Sequence, residues 1–111
     1  QAAIVMNKQS IDKFEPQLVD GGIIIVNSSL IDRKVLRADL KAIYVAANDI
    51  AEKEGAPKSA NIVMLGAYVA ATKVVRPDTM EHAIEKTFDG KPQIAEANLR
   101  AFRQGFAAAH G

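Results

Sequence analysis

Apolar residues follow different rhythms along this chain, and each rhythm predicts an element. Three short runs are continuously apolar: Ala2 to Met6, Ile23-Ile24-Ile25-Val26 and Ala42-Ile43-Tyr44-Val45-Ala46. Each is bounded by polar or turn-forming residues, which predicts strands. The second run has four β-branched residues and no alternation, the pattern of a central parallel strand covered on both faces. Asp20-Gly21-Gly22 ahead of it is a turn signal. Between the first two runs, Ser10 is a candidate cap for a short helix carrying Ile11, Phe14 and Leu18, which Pro16 interrupts or ends.

The second half of the chain reads as helices. Asn48 is a candidate N-cap for a short helix over Asp49 to Glu54, stopped by Gly55. Asp32 to Lys41, charged and irregular, reads as a loop. The stretch Ser59 to Val75 has no charged side chain until Lys73. It is too short to span a bilayer, which takes about 20 apolar residues. A helix that is apolar on nearly every side must be enclosed, and the expectation is that this chain supplies too few neighbours and belongs to a larger assembly. Gly66 with Ala70, and Ala67 with Ala71, would let another backbone approach closely. Arg76-Pro77 ends this helix. Asp78-Thr79-Met80-Glu81 fits a D-x-x-E variant of the capping box, opening a helix with Met80, Ala83, Ile84 and Thr87 on one face. Gly90 then Pro92 separate it from a last helix, 92–109, with Ile94, Ala97, Ala101, Phe102 and Gly105 along one stripe.

The fold class that follows is α/β: a three-layer, Rossmann-like sandwich with a mostly parallel sheet and a helical carboxyl-terminal half, forming one domain over 1–111. The apolar run so close to Gln1 predicts that residues are missing ahead of it, since termini usually fray at the surface.

Composition narrows the chemistry. The 111 residues carry 14 Lys and Arg against 13 Asp and Glu, a formal charge of +1. With the charges interleaved, the clustered basic face of a nucleic-acid binder is missing. Cysteine is absent, so this stretch offers no disulfide, thiol nucleophile or thiolate ligand for an iron–sulfur cluster. The lack of a disulfide framework fits a cytoplasmic protein, and no signal peptide or membrane span is read. His82 and His110 stand apart without metal-ligand spacing. Asp12 with Glu15, and Glu52 with Glu54, read as solvated acids. Asn61 reads as a polar side chain satisfied within the buried helix.

One cluster stands out as a site candidate. Asn27, Ser28 and Ser29 follow the central run directly, at what would be the carboxyl end of its strand. Ligands of open α/β sheets settle there, and short amide and hydroxyl side chains suit a phosphate or a carboxylate. The same residues could equally end the strand through local side-chain-to-backbone bonds. Asn7-Lys8-Gln9-Ser10 occupies the equivalent place after the first strand. Neither loop has the glycine pattern of a Rossmann fingerprint.

Three separated segments carry a family resemblance. Asn7-Lys8-Gln9-Ser10-Ile11-Asp12-Lys13-Phe14, with Leu18 and the run Gly21 to Leu30, resembles the middle of the gamma subunit of 2-oxoacid:ferredoxin (acceptor) oxidoreductases. Ala60-Asn61-Ile62-Val63-Met64-Leu65-Gly66-Ala67 resembles that family's N-M-x-x-L-G-A helix, with isoleucine where methionine often stands. Ala97 to Gly105 is similar to its closing N-x-x-A-F-x-x-G helix. The family's opening G-x-G-G-Q-G turn and R-G-G segment have no counterpart here, so no residue inherits their role.

The resemblance implies a scaffold subunit, non-catalytic alone, in an enzyme that oxidatively decarboxylates a 2-oxoacid such as pyruvate or 2-oxoglutarate to an acyl-CoA and reduces ferredoxin. It implies alpha, beta and ferredoxin-like delta subunits as partners, with a homodimer left open. It places thiamine diphosphate and iron–sulfur clusters in those partners, with no metal, nucleic acid or membrane bound by this chain. Coenzyme A contact, if this chain makes it, is assigned to Asn27, Ser28 and Ser29 from their position. Two other readings stay open: a small-molecule binding α/β module using Asn27-Ser28-Ser29 and Asn7, and a structural homo-oligomer.

Overall fold

Strands form where the continuous runs predict them: β1 (Ala2–Val5), β2 (Ile23–Asn27) and β3 (Lys41–Val45). The computed structural model describes residues 2–6, 13, 15–17, 21–31, 37, 39–73 and 75–110. The Asn7-Lys8-Gln9-Ser10 loop, Asp12 and most of the helix expected after Ser10 lie outside the described residues, leaving a 3-10 turn at Glu15–Gln17. The sheet order is β1-β2-β3. Both pairings are parallel, with Ala3 opposite Ile24 and Val26 opposite both Val5 and Tyr44.

The lack of alternation in β2 has a direct cause. Ile25 faces a cluster with Val45, Ala47, Ala51, Val63, Met64 and Ala101. Ile24 and Val26 face the opposite way, into a second cluster with Val5, Ile31 and Leu40. Both faces are therefore dry, and every position from Ile24 to Asn27 is buried.

Among the described residues four helices follow: α1 (Ala47–Lys53), α2 (Ala60–Thr72), α3 (Pro77–Thr87) and α4 (Pro92–His110). The apolar helix α2 buries Ala60, Val63, Met64, Gly66, Ala67, Val69 and Ala70. Its neighbours are supplied by this chain: the sheet and α1 on one side, α4 along its length, and Ile84 of α3 beside Val69 and Phe102. Burying Val63 and Met64 contributes about 1.5–3 kcal/mol each. The chain thus encloses most of its apolar helix itself, and leaves Ile62, Leu65, Tyr68 and Ala71 half-buried along the remaining stripe. The close approach expected at Gly66 is likewise internal, made by α4.

Several local expectations change in the same way. Asn61 is exposed rather than satisfied inside the helix, because α2 turns that position outward at its first turn. The helix ends at Thr72, three residues early, since Lys73 takes a left-handed φ of 56° and donates its N–H to Val69 O. Pro77 is the first residue of α3, so Asp78 lies inside the helix and makes no capping box. Its Oδ1 accepts from Thr79 N instead, and Glu81 reaches across to Arg103 of α4 at 2.8 Å. Glu15, expected to be solvated, is 3 % exposed. Its carboxylate accepts from Arg37 N at 2.7 Å, while its carbonyl accepts from Arg37 Nη1.

Candidate functional site

Strand β2 ends in Asn27, which is fully buried. Parallel pairing brings β3 to a stop beside it, with Asn27 opposite Val45. The loop Ser28–Leu30 and the start of α1 therefore meet at one edge of the sheet. Asn27 Oδ1 accepts two backbone hydrogen bonds, from Ser29 N and from Ala47 N, both at 3.1 Å. Its Nδ2 donates to Asn48 Oδ1 at 2.8 Å. Ser29 Oγ accepts from Asp49 N at 3.3 Å, and Ser28 N donates to Val45 O at 2.8 Å.

This arrangement reassigns the cap of α1. Asn48 is the expected N-cap of a helix from Asp49, but the helix begins two residues earlier, at Ala47, and makes no side-chain cap bond from its own flank. The orphan N–H of Ala47 is taken by Asn27, twenty residues back along the chain. A single buried amide thus holds the loop, the strand end and the helix start together.

The structure brings Asn27, Ser28 and Ser29 to one place, as their adjacency requires, but gives them different accessibility. Ser28 is exposed and Ser29 half-buried. Asn27 has both lone-pair directions and one amide hydrogen engaged, so its part is to position the loop. The hydroxyl hydrogens of Ser28 and Ser29 are the groups that can meet a ligand. The carboxylate of Asp49 stands in the first turn of α1, which opposes a phosphate and favours a neutral carbonyl or hydroxyl acceptor.

A second polar cluster lies at the other end of the strands. Arg37 forks onto Asp39, Nε to Oδ1 at 3.1 Å and Nη2 to Oδ2 at 2.7 Å. Gly21 N also donates to Asp39 Oδ2. The Arg37 guanidinium, helped by the Gly21 amide, holds the Asp39 carboxyl below its ordinary value. The paired Glu81 likewise raises Arg103. Both networks tie elements together. Among the described residues no group of histidine and acidic side chains could hold a metal ion, and no helix is long and apolar enough to cross a membrane. His82 is exposed on α3.

Sequence reasoning passed over Asn98 as a site residue. It is 2 % exposed, in the middle of the buried stripe of α4. The available signal was an amide standing within the apolar spacing Ile94, Ala97, Ala101 and Phe102.

Known proteins agree with the fold. A 2-oxoglutarate synthase subunit, KorC, from Methanocaldococcus jannaschii is 33 % identical over 109 residues, covering 96 % of this chain and 57 % of that protein. Ketoisovalerate oxidoreductase subunit VorA from Methanothermobacter thermautotrophicus is 34 % identical over 103 residues, 92 % of this chain and 21 % of its own length. The keto/oxoacid ferredoxin oxidoreductase gamma subunit from Geobacter sulfurreducens superposes with a TM-score of 0.85 at 30 % identity, covering 97 % of this chain and 63 % of that one. A 2-oxoglutarate:ferredoxin oxidoreductase from Magnetococcus marinus, solved with 2-oxoglutarate, coenzyme A and succinyl-CoA, shares the fold at a TM-score of 0.83 and 19 % identity. The chain thus spans between a fifth and about three-fifths of the relatives it matches. Residues 1–108 match the family model described as pyruvate ferredoxin/flavodoxin oxidoreductase, and the chain belongs to that family.

Proposed function

We propose that this chain is part of the gamma subunit of a multi-subunit 2-oxoacid:ferredoxin oxidoreductase, and acts there as a scaffold. The observation that carries this reading is a match over 97 % of the chain to a protein that is itself a gamma subunit, in fold and at 30 % sequence identity. The alpha, beta and ferredoxin-like delta subunits supply the reacting groups. Thiamine diphosphate and the iron–sulfur clusters are assigned to them, and these 111 residues hold no cysteine that could ligate a cluster.

Within that assembly the chain's own contribution is the strand-end loop. Asn27 fixes the backbone of Ser29 and the start of α1, so the Ser28 and Ser29 hydroxyls are presented on a rigid edge. There they donate hydrogen bonds to the amide or hydroxyl oxygens of coenzyme A as it approaches the partner subunits. The complex works in the cytoplasm, where its ferredoxin partner is reduced.

Purification of the tagged intact protein tests the assignment. Expected is co-purification with alpha, beta and delta subunits, and 2-oxoacid-dependent ferredoxin reduction that requires coenzyme A. Elution of the protein alone, with an oxidoreductase complex of full activity left behind, overturns it. The Ser28→Ala, Ser29→Ala double variant tests the loop: the complex should assemble, with a several-fold higher KM for coenzyme A and an unchanged kcat. An unchanged KM removes the loop from the coenzyme path without touching the subunit assignment.

A further inference from the structure

Beyond the contact of Gly66 with α4, a cleft of about 310 Å³ opens beside the end of α2. Its cause is the way that α2 stops. Lys73 takes a left-handed φ of 56° and donates its N–H to Val69 O, so the chain leaves the helix after Thr72. Val75 and Pro77 then form a wall of the cleft instead of another helical turn. The floor is Val69 and Ala70 of α2 with Phe106 of α4. Val69 and Ala70 belong to the buried core, Phe106 is half-buried, and Val75 is 37 % exposed.

Among the lining residues only Lys73 and Arg76 have polar side chains, and both are cationic. Arg76 is paired with Asp78 at 3.2 Å, in the open. Among the described residues no carboxylate pairs with Lys73. Glycine is the usual residue where a helix ends in this way, because a left-handed φ costs a residue that carries a side chain. Glycines aside, Lys73 is the described residue with a positive φ. The ammonium at the mouth of the cleft is thus retained against the preference of its own backbone.

These groups select a ligand with two unlike ends. A cation is repelled. Inorganic phosphate would find no donor on the apolar floor for its remaining oxygens. An uncharged apolar molecule would leave the ammonium unused. We propose that the cleft binds an aliphatic monocarboxylate, with its chain on Val69, Ala70 and Phe106 and its carboxylate on Lys73. At a water's share of about 30 Å³ for each non-hydrogen atom, the space holds about ten of them, the size of octanoate. The site shares no residue with the strand-end loop and does not depend on the coenzyme contact proposed there.

Calorimetric and NMR titration of the intact protein with butanoate, hexanoate and octanoate tests this assignment. Affinity should rise about tenfold from the first acid to the last, since an open cleft takes only part of each methylene from water. Octan-1-ol should bind about fivefold more weakly than octanoate, for want of the charge. The Lys73 amide and the Phe106 ring resonances should move together. Lys73→Gly removes the ammonium and suits the left-handed backbone. Its unfolding midpoint should hold or rise, while its affinity for octanoate falls to that for octanol. Equal affinity for the three acids, octylamine binding as well as octanoate, shifts centred elsewhere, or octanoate affinity that survives Lys73→Gly overturns the proposal. So does the absence of saturable binding. Should Lys73→Gly fail to fold, the comparison of octanoate with octanol and octylamine in the unaltered protein decides it.

Discussion

Gly66 and Gly105 each lie against the backbone of the other's helix. A Cβ on Gly66 would stand 2.8 Å from Phe106 N of α4, and would clash with Phe102 O. A Cβ on Gly105 would stand 2.7 Å from the carbonyl carbon of Val63 in α2, and would clash with the oxygen. The two positions make one contact, in which neither partner can yield by rotating a side chain. Alanine at either is therefore expected to separate the helices, at a cost of about 1–3 kcal/mol. Urea midpoints of Gly66→Ala and Gly105→Ala should fall accordingly. The double variant should lose less than the sum of the singles, since the first substitution already opens the crossing. Full additivity would mean that the two glycines act separately.

Asn27 is expected to matter more than either serine beside it. Asn27→Ala leaves the N–H groups of Ala47 and Ser29 without their acceptor. Unsatisfied buried groups of this kind cost about 1–3 kcal/mol. Ser28→Ala, at an exposed position, should stay within about 0.5 kcal/mol of the parent. Thermal unfolding of the two variants measures the difference, and a reversal of their order would remove Asn27 from the role of anchor.

The relation between sequence and structure differs by level. Runs without alternation located all three described strands, because burial on both faces of β2 is a property of its own residues. The last helix was legible to within a residue, from Gly90 and Pro92 at its start and the spacing of Ala97, Ala101 and Gly105. What could not be read was how the ends are satisfied. Asn48 and Asp78 carry the right chemistry for capping, yet the donor of Ala47 is satisfied by Asn27 across the sheet edge, and Pro77 takes the first helical position before Asp78 can. Local rules place a cap within a few residues, whereas tertiary pairing can bring one from twenty residues away. The apolar helix shows the same limit: hydrophobicity said that α2 must be enclosed, but not that α4 would enclose it.

The bond between α3 and α4 through Glu81 and Arg103 is expected to be weak. Arg103 is more than half exposed, so solvent screens the pair despite its 2.8 Å length. Exposed pairs contribute about 0.2–1 kcal/mol. Glu81→Gln should change the unfolding midpoint by no more than that, and less in high salt. The neighbouring contact of Ile84 with Val69 and Phe102 should carry the docking of α3. Ile84→Ala is expected to cost about 2–5 kcal/mol. A larger loss from Glu81→Gln than from Ile84→Ala would reverse this ranking.

Acid should loosen the start of the sheet through Asp39. Its carboxyl is held below the ordinary aspartate value chiefly by the Arg37 guanidinium, with the Gly21 amide adding to it. A carboxyl depressed in the folded state gives stability that is present above its unfolded value, about 3.9, and lost as pH falls through the folded one. The bonds it accepts tie Gly21, ahead of β2, to Asp39 and Arg37, ahead of β3. Because Asp39 is exposed the contribution is small, so the readout is local. The Gly21 amide resonance should be steady from pH 7 to pH 5 and shift below about pH 4. Asp39→Asn should abolish that shift while leaving the amide of Ala47, bonded to an uncharged Asn27, unmoved. A Gly21 titration that persists in Asp39→Asn would assign the acid response to another carboxyl.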